Sequence, residues 1–419
     1  MPDVSPLRPR VAYIVSKFPK LTETFVLYEA LALRDQGVDV EIYPLVPHSE
    51  QVSHADVASM EDRVHRAAGL SWPILQAGLF WALGSPLRFL KCLVSLARGC
   101  GTSPALLMRG IATFPRVLWI AHHMQEAGIE HVHAHFANHP ALAARIVHDL
   151  TGIQYSFTAH GSDLHRDPRG LRIKVLGSAF TIAVSQYNRR FILERVGNDL
   201  SDQVLVLFCG ADIARFSPND RPTTQTGSPL RITCVAALRE VKGHTHLLAA
   251  LEQLKAKGVL FNCHFAGDGP LREALAAEIR KRGLQAHVTL LGSQTKDQIQ
   301  ALLSNSDTIA LTSICDSLGR REGIPVSLME GMAAELPVIS SRLSGIPELV
   351  EHDVSGLLAE PGDESTLADN LLRLAVDPNL RKRMGQAGRT RVVSDFDLRN
   401  NARKLANKIR GSIEASRRA

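Results

Sequence analysis

Residues 322–333 read Glu322-Gly323-Ile324-Pro325-Val326-Ser327-Leu328-Met329-Glu330-Gly331-Met332-Ala333. Pro325 suits a first helical turn, where its missing N–H is not needed. Val326, Leu328, Met329 and Met332 then form an apolar stripe at helical spacing. The pattern predicts a loop carrying Glu322 and a helix with Glu330 about two turns in. First-turn N–H groups and the positive end of the helix dipole suit a phosphate beside Gly323 and Ile324. A carboxylate on either side can accept hydrogen bonds from sugar hydroxyls. Together these residues describe a nucleotide-sugar pocket; the plainer alternative is two glutamates flanking a surface helix.

Outward from this stretch the chain alternates strand and helix. Upstream, strands are predicted at 231–236, 262–266, 288–291 and 308–312, and helices at 245–257, 271–282 and 296–305. Strands and helices go on alternating from there to the end of the chain. A Pro/Gly/Ser/Thr-rich seam, Ser217 to Pro229, precedes this half. Before the seam, short apolar strands are predicted at 10–15, 38–45, 129–136, 154–158 and 180–184, with a helix at 25–36 ended by Gly37. This is the α/β signature of two Rossmann-like, doubly wound parallel-sheet domains. The expected division is 1–216, linker 217–229, 230–397, and a last helix at 398–419. In open parallel sheets, ligands bind beyond the carboxyl ends of the strands, and the motifs below all fall at strand ends.

Composition narrows the class. The 419 residues are too many for one ordinary core, and they are 45% hydrophobic and 21% charged, as in a globular protein. Six scattered cysteines without a CxxC suggest a reducing cytoplasm rather than a disulfide framework. Residues 1–10 lack the apolar core of a signal peptide. The net charge of +6 would suit nucleic acid or an anionic membrane. No nucleic-acid motif is found and aromatics are few, so nucleic acid is not an expected partner. Leu70 to Leu87 is uncharged, about as long as a membrane span, but is punctuated by Pro73, Gly78, Gly84 and Pro86. With the basic and apolar residues that follow, segment 70–120 reads either as amphipathic helices on the inner face of the cytoplasmic membrane or as ordinary helices covering the first sheet.

The Glu-x7-Glu pair, followed by Leu336-Pro337-Val338-Ile339-Ser340-Ser341 and Gly345-Ile346-Pro347-Glu348-Leu349-Val350, resembles retaining glycosyltransferase family 4, of the GT-B fold. The resemblance runs nearly end to end, and within the family it points to the branch that builds bacterial exopolysaccharides of the colanic acid type. It implies transfer of a sugar from a nucleotide sugar, UDP- or GDP-linked before others, to a glycan or lipid-linked glycan. Glu322 would contact the donor sugar and Glu330 the ribose hydroxyls. Lys242, before Gly243, would hold the diphosphate. Ala237 stands where the family has an arginine, and Arg239 lies two residues later. A leaving diphosphate needs cationic stabilisation, and Lys242 alone lacks an arginine's bidentate fork.

Other strand ends carry further candidates. Gly267-Asp268-Gly269-Pro270 resembles the family's GdGp turn, where glycine lets the backbone approach a ligand; a plain strand–helix turn reads nearly as well. Gly292-Ser293-Gln294 matches the nucleobase cradle. Thr22-Glu23-Thr24 resembles an acceptor-side signature and would also cap the following helix. By resemblance His135 and Asn138 face the acceptor, and His160, in Thr158-Ala159-His160-Gly161-Ser162-Asp163, lies near the reacting carbon. His131, His133 and His135 share a strand face, a spacing zinc can use, but no partner motif supports a metal. Asp395-Phe396-Asp397, the one Asp-x-Asp, reads as a helix start, so metal-independent transfer without a cofactor is expected. The rival readings are another GT-B enzyme, such as an epimerase or a phosphorylase, and a non-catalytic glycan- or nucleotide-sugar-binding subunit, which Ala237 keeps open.

Overall fold

The computed structural model of the chain describes residues 8–20, 23–46, 55–67, 69, 71–218 and 227–418. They form two compact units. The first comprises Met1–Leu207 with Arg399–Ala419, and the second Phe208–Leu398.

The first unit contains strands β1 (Arg10–Val15), β2 (Asp39–Pro44), β3 (His131–His135), β4 (Gln154–Ala159), β5 (Phe180–Ala183) and β6 (Val204–Val206). They form one parallel sheet in the order β2-β1-β3-β4-β5-β6. The strands are short apolar runs because both faces are covered; Val11 to Val15 are all buried. Helix Thr24–Asp35 follows β1 and ends at Gly37, whose φ of 75° suits a residue without a Cβ.

The second unit contains β7 (Leu230–Val235), β8 (Phe261–Ala266), β9 (Val288–Gly292), β10 (Thr308–Leu311), β11 (Val338–Ser341) and β12 (Gly356–Ala359). These too are parallel, in the order β12-β11-β10-β7-β8-β9. Each sheet has a point where successive strands go to opposite sides, β1/β3 in the first and β7/β10 in the second. Such switch points open a crevice outside the carboxyl ends of the strands.

One expectation is revised. The units part at Leu207, not at 216, because the segment after it belongs to the second core: Ala211 and Phe216 are buried there, and Ala211 N donates to Phe396 O at 2.9 Å. Of the expected seam, residues 219–226 lie outside the described residues. In the 70–120 segment the uncharged run is broken into separate helices between Gly84 and Pro86, as its prolines and glycines led one to expect. Pro73 is in the first turn of Trp72–Gly84 and Pro86 in that of Pro86–Cys100, with a third helix at Pro104–Glu126. No single described helix is long and apolar enough to cross a membrane; the first two pass that test only together, and they bend by 112° between them. The last helix, Leu398–Arg418, buries Ala402, Leu405, Ala406, Ile409 and Ile413.

Candidate active site

In the second unit the two glutamates are each met by a lysine. β10 ends at Leu311, and the loop after it carries Glu322 to helix Val326–Ala333. Lys242, at the end of a 3-10 turn after β7, donates from Nζ to Glu322 Oε2 at 2.7 Å. Glu330, buried on the helix, pairs with Lys296, whose Nζ also lies 5.1 Å from the Phe216 ring centroid. The loops are held in place by hydrogen bonds between them. Thr312 Oγ1 donates to Gly243 O at 2.8 Å, Ile314 N to Val241 O at 3.0 Å, and Ser317 Oγ to a Glu240 carboxylate at 3.0 Å. So both carboxylates and both ammonium groups sit by the β7/β10 switch point.

The glycines here are sterically required. At Gly243 (φ 66°) a Cβ would lie 1.8 Å from Thr312 O, and at Gly267 (φ 153°) 1.9 Å from Ala236 O. At Gly269 (φ 158°) it would lie 2.6 Å from Leu238 O, and Gly267 N donates to Gly292 O at 2.8 Å. The ends of β7, β8 and β9 are thereby laced together, with Ser293 exposed beside them and Gly323 and the buried Ile324 at the helix mouth. Arg239 is exposed, and its side chain makes no ion pair or hydrogen bond among the described residues. The structure thus brings Lys242, Glu322 and Glu330 into charged pairs and leaves Arg239 outside them.

In the first unit the histidines form a buried chain. His131 Nε2 and His133 Nδ1 share the Ser156 hydroxyl at 2.7 and 2.8 Å, and His133 Nε2 meets Thr158 Oγ1 at 2.9 Å. His135 Nδ1 lies 3.1 Å from His160 Nε2, and its Nε2 lies 3.3 Å from Glu29 Oε1. Tyr13 donates to the same Glu29 oxygen at 2.7 Å. Burial opposes the Glu29 charge, but the field and hydrogen bond of His135, the nearby His133 and the Tyr13 hydroxyl bring its carboxyl down to about 2. An ionised Glu29 favours the proton on His135 Nε2, so Nδ1 becomes the acceptor and His160 the donor. Burial, then neighbouring His135, pushes the His160 imidazole down to about 3, so it is neutral near pH 7. Asp163 braces the turn, accepting from Ala137 N and Gly161 N at 2.7 Å each and from His160 N at 3.1 Å.

At the end of β3, Phe136 has a φ of 80°, a strained conformation for a bulky residue. Asn138 precedes helix His139–Thr151 without capping it, and its buried Oδ1 has no hydrogen-bond partner among the described residues. Glu23 is also not the expected cap: helix Thr24–Asp35 has no side-chain cap, and Glu23 instead pairs with Lys20. Thr22 lies outside the described residues.

Glu29, His133 and His135 offer three ligand atoms within 4.8 Å of one another, a grouping that strand spacing alone did not predict. Both ring nitrogens of His133 already face hydroxyls. A cavity of about 930 Å³ in the first unit is lined by Gln154 and Phe180, at the starts of β4 and β5, and so lies away from the strand ends that carry these groups. Sequence reasoning missed Glu29, Tyr13 and Lys296, which have no local signature.

Two parallel six-stranded sheets, each with charged or titratable side chains at the carboxyl ends of its strands, define the GT-B glycosyltransferase architecture. The glycosyl transferases group 1 family profile matches residues 217–391. The putative colanic acid biosynthesis glycosyltransferase WcaL of Salmonella typhimurium is 30% identical over 418 residues, covering 95% of this chain and 98% of the relative. The amylovoran biosynthesis glycosyltransferase AmsK of Erwinia amylovora is 29% identical over 414 residues, covering 95% and 98%. Among solved structures, Anabaena HepE in complex with UDP superposes with a TM-score of 0.72 at 16% identity, covering 96% of this chain and 100% of that one. The sucrose-phosphate synthase of Thermosynechococcus elongatus gives 0.72 at 18%, covering 97% and 100%. The chain belongs to the group 1 glycosyltransferase family.

Proposed function

We propose that the chain moves a sugar from a UDP- or GDP-linked donor to a glycan or lipid-linked glycan, with retention at the anomeric carbon and without a metal ion, in bacterial exopolysaccharide synthesis. The observation that carries this reading is the pair of lysine–glutamate contacts at the β7/β10 switch point. A donor entering there exchanges these internal pairs for its own groups. Glu322 accepts from sugar hydroxyls and Glu330 from the ribose. Lys242 turns to the diphosphate, and Arg239 adds a second cation from the adjacent exposed loop. As the bond from the anomeric carbon to the diphosphate oxygen breaks and an acceptor hydroxyl oxygen bonds that carbon, the nucleoside diphosphate leaves with the bonding pair and takes up the hydroxyl proton, and the cations stabilise its charge. Gly267, Gly269, Gly292 and Ser293 offer backbone to the nucleotide. In the first unit, His160 serves the reacting centre, and Glu23, Thr24, His135 and Asn138 the acceptor. The unpaired Asn138 Oδ1 can accept from an acceptor hydroxyl. The names of the relatives support a role in extracellular polysaccharide, and the UDP-bound neighbour supports a uridine-linked donor.

The test is a thermal-shift panel of UDP-, GDP-, ADP- and dTDP-sugars, with and without EDTA, on wild type and Glu330→Ala. One nucleotide class is expected to raise Tm by about 5–10 °C at about 100 times its Kd, undiminished by EDTA and largely lost in the variant. No shift with any nucleotide would favour a non-catalytic role, with Ala237 as its cause. The anomeric proton coupling of a product tests retention.

A further inference from the structure

We propose that helices Trp72–Gly84 and Pro86–Cys100 form a bent wedge that docks the first unit on an anionic lipid bilayer, the bend at Ser85 going deepest. This goes beyond the transferase reading and stands without it.

The packing of these helices is inverted for a protein surface. Helix Pro86–Cys100 buries Cys92, Ser95, Leu96, Gly99 and Cys100, a mostly small-residue face. That face fits closely: a Cβ on Gly99 would lie 2.3 Å from Leu142 Cδ1. Its larger apolar side chains, Leu87, Leu90, Leu93 and Val94, point outward. Helix Trp72–Gly84 buries Ile74, Ala77 and Trp81, yet it too turns large apolar side chains outward, exposing Trp72, Leu75, Leu79 and Leu83. Met108 and Ile111 extend the patch along the third helix. Isolated exposed leucines are ordinary, but a continuous face of this kind marks an apolar partner. Leu83 and Leu87, on either side of the bend, are 78% and 83% exposed.

Charge identifies the partner. From Arg63 to Gln125 the chain has no Asp or Glu, whereas Arg88, Lys91, Arg98, Arg109 and Arg116 fall within that stretch. Arg88 and Lys91 are partly engaged, with Leu150 O at 2.9 Å and with Asp149 Oδ1 at 2.9 Å. The side chains of Arg98 and Arg109 are exposed and make no ion pair or hydrogen bond among the described residues. A second copy of the same face would set arginine against arginine. Anionic headgroups around an apolar interior complement both the cations and the leucines. The 112° bend prevents the pair from crossing as a straight rod and suits helices lying in the interface.

Vesicle flotation of the full chain tests this, with phosphatidylcholine vesicles with and without phosphatidylglycerol. Wild type is expected to float with the anionic vesicles, with flotation falling as salt rises. Each cation near such a surface strengthens binding about fivefold, so Arg98→Gln with Arg109→Gln is expected to weaken it about 25-fold. Leu83→Asp with Leu87→Asp is expected to weaken it by more than about tenfold, with Tm unchanged because both sites are exposed. Three results would overturn the proposal: equal recovery on neutral vesicles, undiminished binding by both double variants, or a wild type that ignores vesicles and elutes as a dimer dissociated by the Leu83/Leu87 substitutions.

Discussion

At Glu29 a carboxylate on the helix after β1 sets the proton positions of two histidines. Glu29→Gln keeps the shape but replaces an acceptor with a group that can also donate, so His135 can turn its proton toward His160. If His160 serves the reaction, turnover should fall by about 10- to 100-fold while donor KM changes little, the pattern for a lost orienting partner. Steady-state kinetics on the variant, with Glu29→Asp as the conservative comparison, would check it; unchanged kcat would remove His135 and Glu29 from the mechanism. The positions of Glu322 and His160 at strand–loop ends, and of Glu330 on the helix that follows, could be read from sequence because each sits in a local strand, turn and helix pattern. Glu29, Tyr13 and Lys296 could not, because each acts only through a tertiary partner, and a helical glutamate looks alike with or without a buried imidazole beside it. Phe136 was equally hidden, since nothing in its neighbours announces a positive φ.

At the scale of elements, most strands were visible, because parallel strands buried on both faces are short apolar runs bounded by polar turns. In the 70–120 segment the prolines were legible too: a residue that cannot sit in a helix interior marks where one helix stops and the next opens. The turn at Gly243 joins β7 to its helix while touching the loop after β10, so it links the two strands that flank the site. Gly243→Ala should cost about 2 kcal/mol or more and weaken donor binding, because the Cβ meets a backbone carbonyl that cannot rotate away. Gly128→Ala is the matched control: its φ of 65° is similar, but nothing lies within 4 Å of the added carbon. Its cost should be only that of the backbone conformation, about 1 kcal/mol. Denaturant midpoints of the two variants should therefore separate; equal values would mean the loop after β10 yields freely.

For the molecule as a whole, the two units should respond differently to acid. Burial holds His131 and His160 at about 3 and His133 well below its ordinary value, all in the first unit. Imidazoles of the unfolded chain take up protons near pH 6.5, so between there and about pH 3 the unfolded state binds more protons, and stability falls as pH falls. Each such group can remove up to about 1.4 kcal/mol per pH unit in that window. Glu29 adds a loss of the same sign below its ordinary range, as pH falls toward about 2. In the second unit burial and Lys242 bring His244 to about 4. Hydrogen exchange at pH 5 against pH 7.5 should show opening concentrated in β3 and β4; uniform opening would contradict it. The boundary between units was the least legible large feature, because the polar seam attracts notice while Ala211 and Phe216 look like any other apolar residues. That boundary has a consequence for how such chains can be rearranged. The second unit interrupts the first in sequence, yet its two ends are zipped together, with Leu398 N donating to Ala211 O at 3.1 Å. A segment that leaves and returns at one spot behaves as a cassette: a different second unit could be spliced in through two cuts side by side, with the last helix still returning to its place on the host.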